Sequence, residues 1–300
     1  PTHDATNGFR LFSRRAIDDI AVASTEGFTY SIELLVKAHR LRWPIAEVPV
    51  RWYEREHGQS RFKVLRWDQR GRGESSAPAP GQTLSGEAVD DGVTVAHRYA
   101  KDARCLLDHL GIEKIHWVGD SSGGISGANF AILFPERLHT LCCIQSPLVK
   151  IPEDFAKAWA AGEPTPAQAI EKYGMAKYYE IIGTDWVTDP DRGTQRFREW
   201  QREERKKIET HTYIGHWKWQ LDADLTADLG KIKAPTMLLS SDHSGICPVE
   251  QQERIAKLIP NCRLNLYEGM GHGIAFLEPE KAANDIMAFI DEVHGAKAAA

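Results

Sequence analysis

From residue 62 onward, apolar and polar positions alternate between two periods. Phe62-Lys63-Val64-Leu65-Arg66-Trp67 predicts a strand, and Val93 to Leu110 predicts an amphipathic helix with Val95, Tyr99, Ala103, Leu106, Leu107 and Leu110 on one side, stopped by Gly111. Ile115-His116-Trp117-Val118 is a short, apolar, β-branched run that reads as a buried strand. Ile125 to Leu133 predicts a packed helix and Leu138 to Ile144 another strand. Strand, helix, strand, helix, strand favours a parallel sheet, hence an α/β fold. Further on, Ala167 to Ile182 and Thr194 to His211 predict helices, the first with Thr165 as its cap and Pro166 at its first position.

Residues 1–63 read differently. Ala16 to Ala23 and Tyr30 to Leu41 predict helices, the second with Ile32, Leu35, Val36 and Ala38 on one face. Ile45 to Tyr53 alternates like a strand, and Pro49 pushes it to an edge. Gly8-Phe9-Arg10, Ser13-Arg14, Glu33-Leu34-Leu35, Glu47-Val48-Pro49-Val50 and Arg55-x-x-Gly58-x-Ser60-Arg61 resemble the C-terminal part of family 2 glycosyltransferases of the dolichyl-phosphate-mannose synthase kind. That family's nucleotide-sugar half, with its Asp-x-Asp metal site, has no counterpart here. The segment is therefore expected to pack on the edge of the following sheet rather than to transfer sugars.

Composition narrows the classes. A net charge of -5, with no long basic stripe, argues against a nucleic-acid surface. No apolar run is long enough to cross a bilayer, and no signal-peptide pattern is present. The five cysteines form no metal-ligand spacing and read as reduced thiols, which points to the cytoplasm. No cofactor or metal is expected. The expected partner is a small-molecule substrate, and self-association into a homo-oligomer is left open.

The candidate chemistry centres on Gly119-Asp120-Ser121-Ser122-Gly123-Gly124, between a predicted strand and a predicted helix. Gly-x-Ser-x-Gly in that setting is a nucleophile elbow, a turn so sharp that the residues two places either side of the serine must be small. Asp68-x-Arg70-Gly71-x-Gly73, Asp108-His109-Leu110-Gly111-Ile112, the elbow and Phe134-Pro135-Glu136-Arg137 follow in an order and spacing that resemble the α/β-hydrolase superfamily. Ile232 to Leu239, Asn265-Leu266-Tyr267, Gly269-Met270-Gly271-His272, and Glu278-Pro279-Glu280 leading a helix to about Val293 extend the resemblance over residues 62–294. It implies a mainly parallel sheet with a helical cap, in which the N-terminal strands are replaced by an atypical segment. The expected division is 1–63, core 64–148, cap 149–229, core 230–294 and a tail 295–300.

The same resemblance implies site roles. Ser121 is the expected nucleophile and His272, in its Gly-rich loop, the base. A serine hydroxyl needs a base with a pKa near neutrality to take its proton. Asp242 is the expected acid, although the family's usual position aligns with Ser244, and its alternative position holds Gln145 and Ser146. Asp154 and Asp185 in the cap are competitors. One oxyanion donor is expected at the Ser122 N–H. The second would follow a His-Gly motif in the replaced part of the fold; His57-Gly58 sits too close to Phe62 for that. Among the cap aromatics Tyr178, Tyr179, Trp186, Tyr213, Trp217 and Trp219, which either line a substrate pocket or pin the cap to its core, Trp186, Trp217 and Trp219 are the candidate substrate-binding residues. Two classes follow: a serine hydrolase of a small ester, lactone or related carbonyl compound, or a non-catalytic, fused or truncated hydrolase scaffold.

Overall fold

The computed structural model describes residues 64–73, 75–86, 92–183, 194–206 and 208–298. The transferase-like segment 1–63, with its expected helices, strand and edge packing, lies outside the described residues, as do Asp185 and Trp186. Two compact units divide at Asp68 and Gln69. The predicted strand at Phe62–Trp67 is not formed over its described part: residues 64–69 carry no regular element.

In the second unit, helix α1 (Thr94–His109) leads into strand β1 (Ile115–Asp120), helix α2 (Ser122–Leu133) and strand β2 (Leu138–Ile144). Four helices follow: α3 (Glu153–Trp159), α4 (Pro166–Ile182), α5 (Gln195–Lys206) and α6 (Thr210–Asp222). Strand β3 (Thr236–Ser241), α7 (Val249–Leu258), β4 (Cys262–Tyr267), α8 (Ile274–Leu277) and α9 (Pro279–Ala298) complete the chain. The strands form one sheet in the order β1-β2-β3-β4, with every pairing parallel. Parallel pairing needs a crossover between strands, which α2, the α3–α6 insertion and α7 supply.

The two central strands show what burial on both faces demands. All six residues of β3 are buried, as are six of the seven in β2. Strand β1 lies at the end of the strand order, and there the expectation of full burial fails: Trp117 is 5% exposed but Val118 is 48% exposed. Helix α2 presses close to β1. A methyl group added at Gly127 would stand 2.4 Å from Trp117 Nε1 and 2.9 Å from Leu141 Cδ1.

The insertion has its own core. Trp159, Ile170, Tyr178, Tyr213 and Trp217 are buried together with Ile246 and Cys247 of the loop after β3. Thr165 caps α4 as predicted, its Oγ1 accepting the Gln168 N–H at 3.2 Å. Helix α4 is broken at Gly174, whose φ of 71° is left-handed. The single helix expected over Thr194–His211 is instead α5 and α6, with the break between them. Helix α6 is then stapled to the first loop of the unit: Thr212 Oγ1 donates to Gly71 O at 3.4 Å, and His211 Nε2 lies 2.8 Å from Pro78 O. Next to Gly71, the loop is also fixed by a two-pronged Arg70–Asp102 ion pair, both contacts at 2.6 Å.

Gly127→Ala is expected to destabilise the fold by about 1–3 kcal/mol through overpacking against the rigid indole of Trp117. Thermal unfolding of this variant beside wild type checks it, with a lowered Tm as the expected result.

Candidate active site

Strand β1 delivers Ser121 at its C-terminal end, where parallel α/β sheets gather their ligand sites. The backbone there is bent out of every ordinary region: Ser121 has φ 52° and ψ -116°. Non-glycine residues hold such angles only when their surroundings enforce them. Here the Ser121 N–H donates to Ile144 O at 2.8 Å, and Ser121 O accepts the Gly124 N–H at 3.0 Å. A Cβ at Gly119 would lie 2.3 Å from the Gly123 carbonyl, and one at Gly124 would lie 1.9 Å from Ser146 Oγ. The steric need for glycine thus falls on 119 and 124. At Gly123, expected to be the crowded partner of Gly119, an added Cβ would meet nothing within 4 Å.

The loop after β4 carries His272 to the same place. Its Nε2 lies 3.2 Å from Ser121 Oγ, and its Nδ1 lies 3.2 Å from Ser244 Oγ. His272 is 5% exposed, and burial pushes its imidazole down to about 4. It is therefore neutral at ordinary pH, the form that can accept a proton from the serine. For Nε2 to be the acceptor, Nδ1 must carry the hydrogen and donate it to Ser244. A hydroxyl both donates and accepts, so Ser244 permits this tautomer without enforcing it, whereas a carboxylate only accepts. Ser244 Oγ is placed by the Cys247 N–H, which donates to it at 3.3 Å.

Asp242 is not the partner of His272. Its carboxylate turns back onto the histidine loop, where it accepts the Met270 N–H at 3.2 Å. Hydrogen bonds from the Gly269 and Met270 backbone hold it below the usual carboxylate range. Its role is to brace that loop, and the two-residue offset from Ser244 is what takes it away from the imidazole. Asp154, the other described competitor, has a fully exposed side chain facing Lys157.

The Ser122 N–H opens α2, and the first N–H groups of a helix have no intrahelical acceptor. It therefore stands beside Ser121 as the candidate oxyanion donor, with open space at Gly123 next to it. Asp120, directly before the nucleophile, escaped the sequence reading. Its Oδ1 is buried with no partner among the described residues, and burial pushes the carboxyl up to about 7. The signal for it was an acidic residue inside the elbow itself.

The candidate aromatics are packed rather than open. Trp219 is fully buried, its Nε1–H donating to His216 Nδ1 at 3.3 Å and its ring edge-on to Tyr99. Trp217 is 3% exposed and edge-on to Trp159 at 4.2 Å. Tyr178 donates to Trp159 O, and Tyr179 to the Tyr213 hydroxyl. Trp217, Tyr178, Tyr179 and Tyr213 belong to the core within the insertion, and Trp219 packs the insertion onto Tyr99 of α1. Trp217 alone keeps an unpaired donor, its buried Nε1 having no partner among the described residues. Among those residues no group of three or more His, Cys, Asp or Glu side chains is set to hold a metal ion.

Comparison with known proteins identifies the fold family. A family model described as the alpha/beta hydrolase fold matches residues 51–279. A Pseudomonas syringae pv. syringae protein assigned as the carbamate hydrolase RutD is 24% identical over 249 residues, covering 76% of this chain and 83% of its own. The 3-oxoadipate enol-lactonase 2 of Acinetobacter baylyi is 31% identical over 130 residues, which is 43% of this chain and 42% of the relative. The enol-lactonase structure from Burkholderia xenovorans LB400 superposes with a TM-score of 0.63 at 20% identity, covering 77% of this chain and 81% of that one.

The imidazole contacts give a sign that NMR titration can check. His272 is expected to take its proton only near pH 4. Asp242→Asn should leave that value in place. Ser244→Asp should raise it by roughly 1–3 units, because a carboxylate beside Nδ1 favours the imidazolium.

Proposed function

The chain belongs to the α/β-hydrolase fold family and is an enzyme of the hydrolase class, and we propose that it is a serine hydrolase of a small ester, lactone or related carbonyl compound, working through an acyl-enzyme. The observation that carries the reading is the 3.2 Å contact between Ser121 Oγ and His272 Nε2, with Ser121 held at a positive φ in the turn between β1 and α2. The relatives' names, which include a carbamate hydrolase and enol-lactonases, support acyl chemistry on small substrates.

In the proposed reaction, Ser121 Oγ bonds to the carbonyl carbon while its proton passes to His272 Nε2. The carbonyl π pair moves onto oxygen, where the Ser122 N–H meets the developing charge. The tetrahedral species collapses, the C–O bond to the leaving group breaks, and that group takes the proton from Nε2. Water then repeats the sequence on the acyl-serine, giving its proton to Nε2, and the carboxylic acid leaves as Ser121 regains its hydrogen.

Burial sets the character of this base. A neutral imidazole with a conjugate-acid pKa near 4 is ready to accept a proton over a wide pH range, but each acceptance forms a buried cation. Ser244 offers that cation only a hydroxyl dipole. The turnover reached therefore rests on the pre-bent nucleophile and the helix end more than on a charged relay. Trp159, Tyr178, Tyr213 and Trp217 fill a core and are not expected to line the ligand site.

Ser121→Ala is expected to abolish labelling by a fluorophosphonate probe and to lower hydrolysis of an activated p-nitrophenyl ester by on the order of 1,000-fold or more. Tm should stay close to wild type. Labelling of wild type at Ser121, located by peptide mass spectrometry, is the supporting result. Near-full hydrolysis by a folded Ser121→Ala protein would sink the assignment.

A further inference from the structure

Gln145 follows the last residue of β2 in an unusual conformation. Its φ is 46°, one of three positive values among the described non-glycine residues, and its N–H donates to Leu239 O at 2.8 Å. The side chain is fully buried, a costly place for an amide. Its Nε2 donates to Gly271 O at 3.0 Å and also to Ser241 Oγ. Ser241 Oγ donates in turn to the same Gly271 carbonyl at 2.6 Å. A carbonyl oxygen can only accept, so the amide nitrogen must be the end that faces it. The other end, Oε1, is left buried with no partner among the described residues. A fold that kept this side chain for packing alone would use an apolar one.

The carbonyl that receives these two donors belongs to the residue just before His272. The residue just before Gln145 is Ile144, whose carbonyl holds the Ser121 N–H at 2.8 Å. Two consecutive residues at the end of β2 thus grip both halves of the site, Ile144 the nucleophile turn and Gln145 the histidine loop. We infer that Gln145 is a positioning residue: its amide clamps Gly271 so that His272 is held in register over Ser121 without a carboxylate to orient it. This rests on the serine-hydrolase reading for its consequence in rate, but not for its consequence in geometry.

The test uses Gln145→Met, which keeps length and bulk and removes the donor, with Ser241→Ala as a second variant that removes the other donor to the same carbonyl. The main readout is the NMR titration of His272. With the clamp gone the loop lifts, the imidazole meets water, and its titration moves up from about 4 toward the ordinary histidine range. Fluorophosphonate labelling of Ser121 and kcat on an activated ester should fall by about tenfold or more, since misplaced reacting groups lose rate steeply, while KM changes by less than about twofold. A merely structural side chain would lower Tm and leave the folded protein's His272 titration in place. That outcome, together with wild-type labelling, overturns the clamp. Should Gln145→Met not fold, Ser241→Ala decides: a smaller upward move of the His272 titration supports the clamp, and an unchanged one overturns it. Should wild type itself resist labelling, the hydrolase reading fails, and the titrations still settle the clamp by the same criteria.

Discussion

A methyl group on residue 119 would stand 2.3 Å from the carbonyl of residue 123. That distance forbids any side chain where strand β1 gives way to α2, and the site follows from the approach it permits. Because the two segments touch, the turn between them must be very tight, and Ser121 is driven to a positive φ. Because the turn is tight, its hydroxyl stands clear of both elements while the first free N–H of the helix lies next to it. The bend is held by one bond to the neighbouring strand, from the Ser121 N–H to Ile144 O. Strain of this kind is kept only where surrounding structure outweighs it, and here that structure is the most fully buried part of the sheet.

The second constraint is electrostatic. His272 is buried with a serine hydroxyl at each ring nitrogen, and Asp242 spends its charge on backbone N–H groups of the histidine loop. The result is a proton acceptor that stays uncharged at ordinary pH and has a polar but neutral neighbour on its far nitrogen. Asp120 reverses the usual assignment. A carboxyl that titrates near 7 beside the nucleophile, with a buried unpaired oxygen, carries its proton under mildly acidic conditions and loses it under mildly basic ones. Acid and base at this site are thus displaced in opposite directions by one cause, the exclusion of water.

Local patterns were readable in the sequence and long-range ones were not. Strand β2 is found where its apolar run predicts it, and the elbow and the histidine loop lie together as the resemblance to the α/β-hydrolase superfamily implies. The partner of His272 was not legible, because Asp242 and Ser244 share one short loop and only its path across the sheet decides which side chain meets the imidazole. Trp217 and Trp219 show another limit. Their spacing and size suit a pocket wall or a packed core equally well, and the neighbours that bury them, Trp159 and Tyr99, are distant in sequence. The strand expected at Phe62–Trp67 has the right composition, yet a strand needs hydrogen-bonded neighbours and no composition supplies them. The helix predicted over Thr194–His211 ends at Lys206, and a new one begins at Thr210, with Ile208 and Glu209 non-helical between them.

Ser121 and His272, in contact in the fold, are separated by 151 residues of chain. The serine's bend is assembled from contacts between β1, α2 and the end of β2, all close in sequence. The histidine arrives only after β2 has paired with β3, and Leu141 and Thr236, which face each other in that pairing, bracket the whole helical insertion. Closing so long a segment costs entropy before any strand contact repays it, and such pairings form slowly. The contact between Ser121 and His272 therefore depends on a sheet that closes across the whole insertion, whereas the bend at Ser121 needs only its near neighbours.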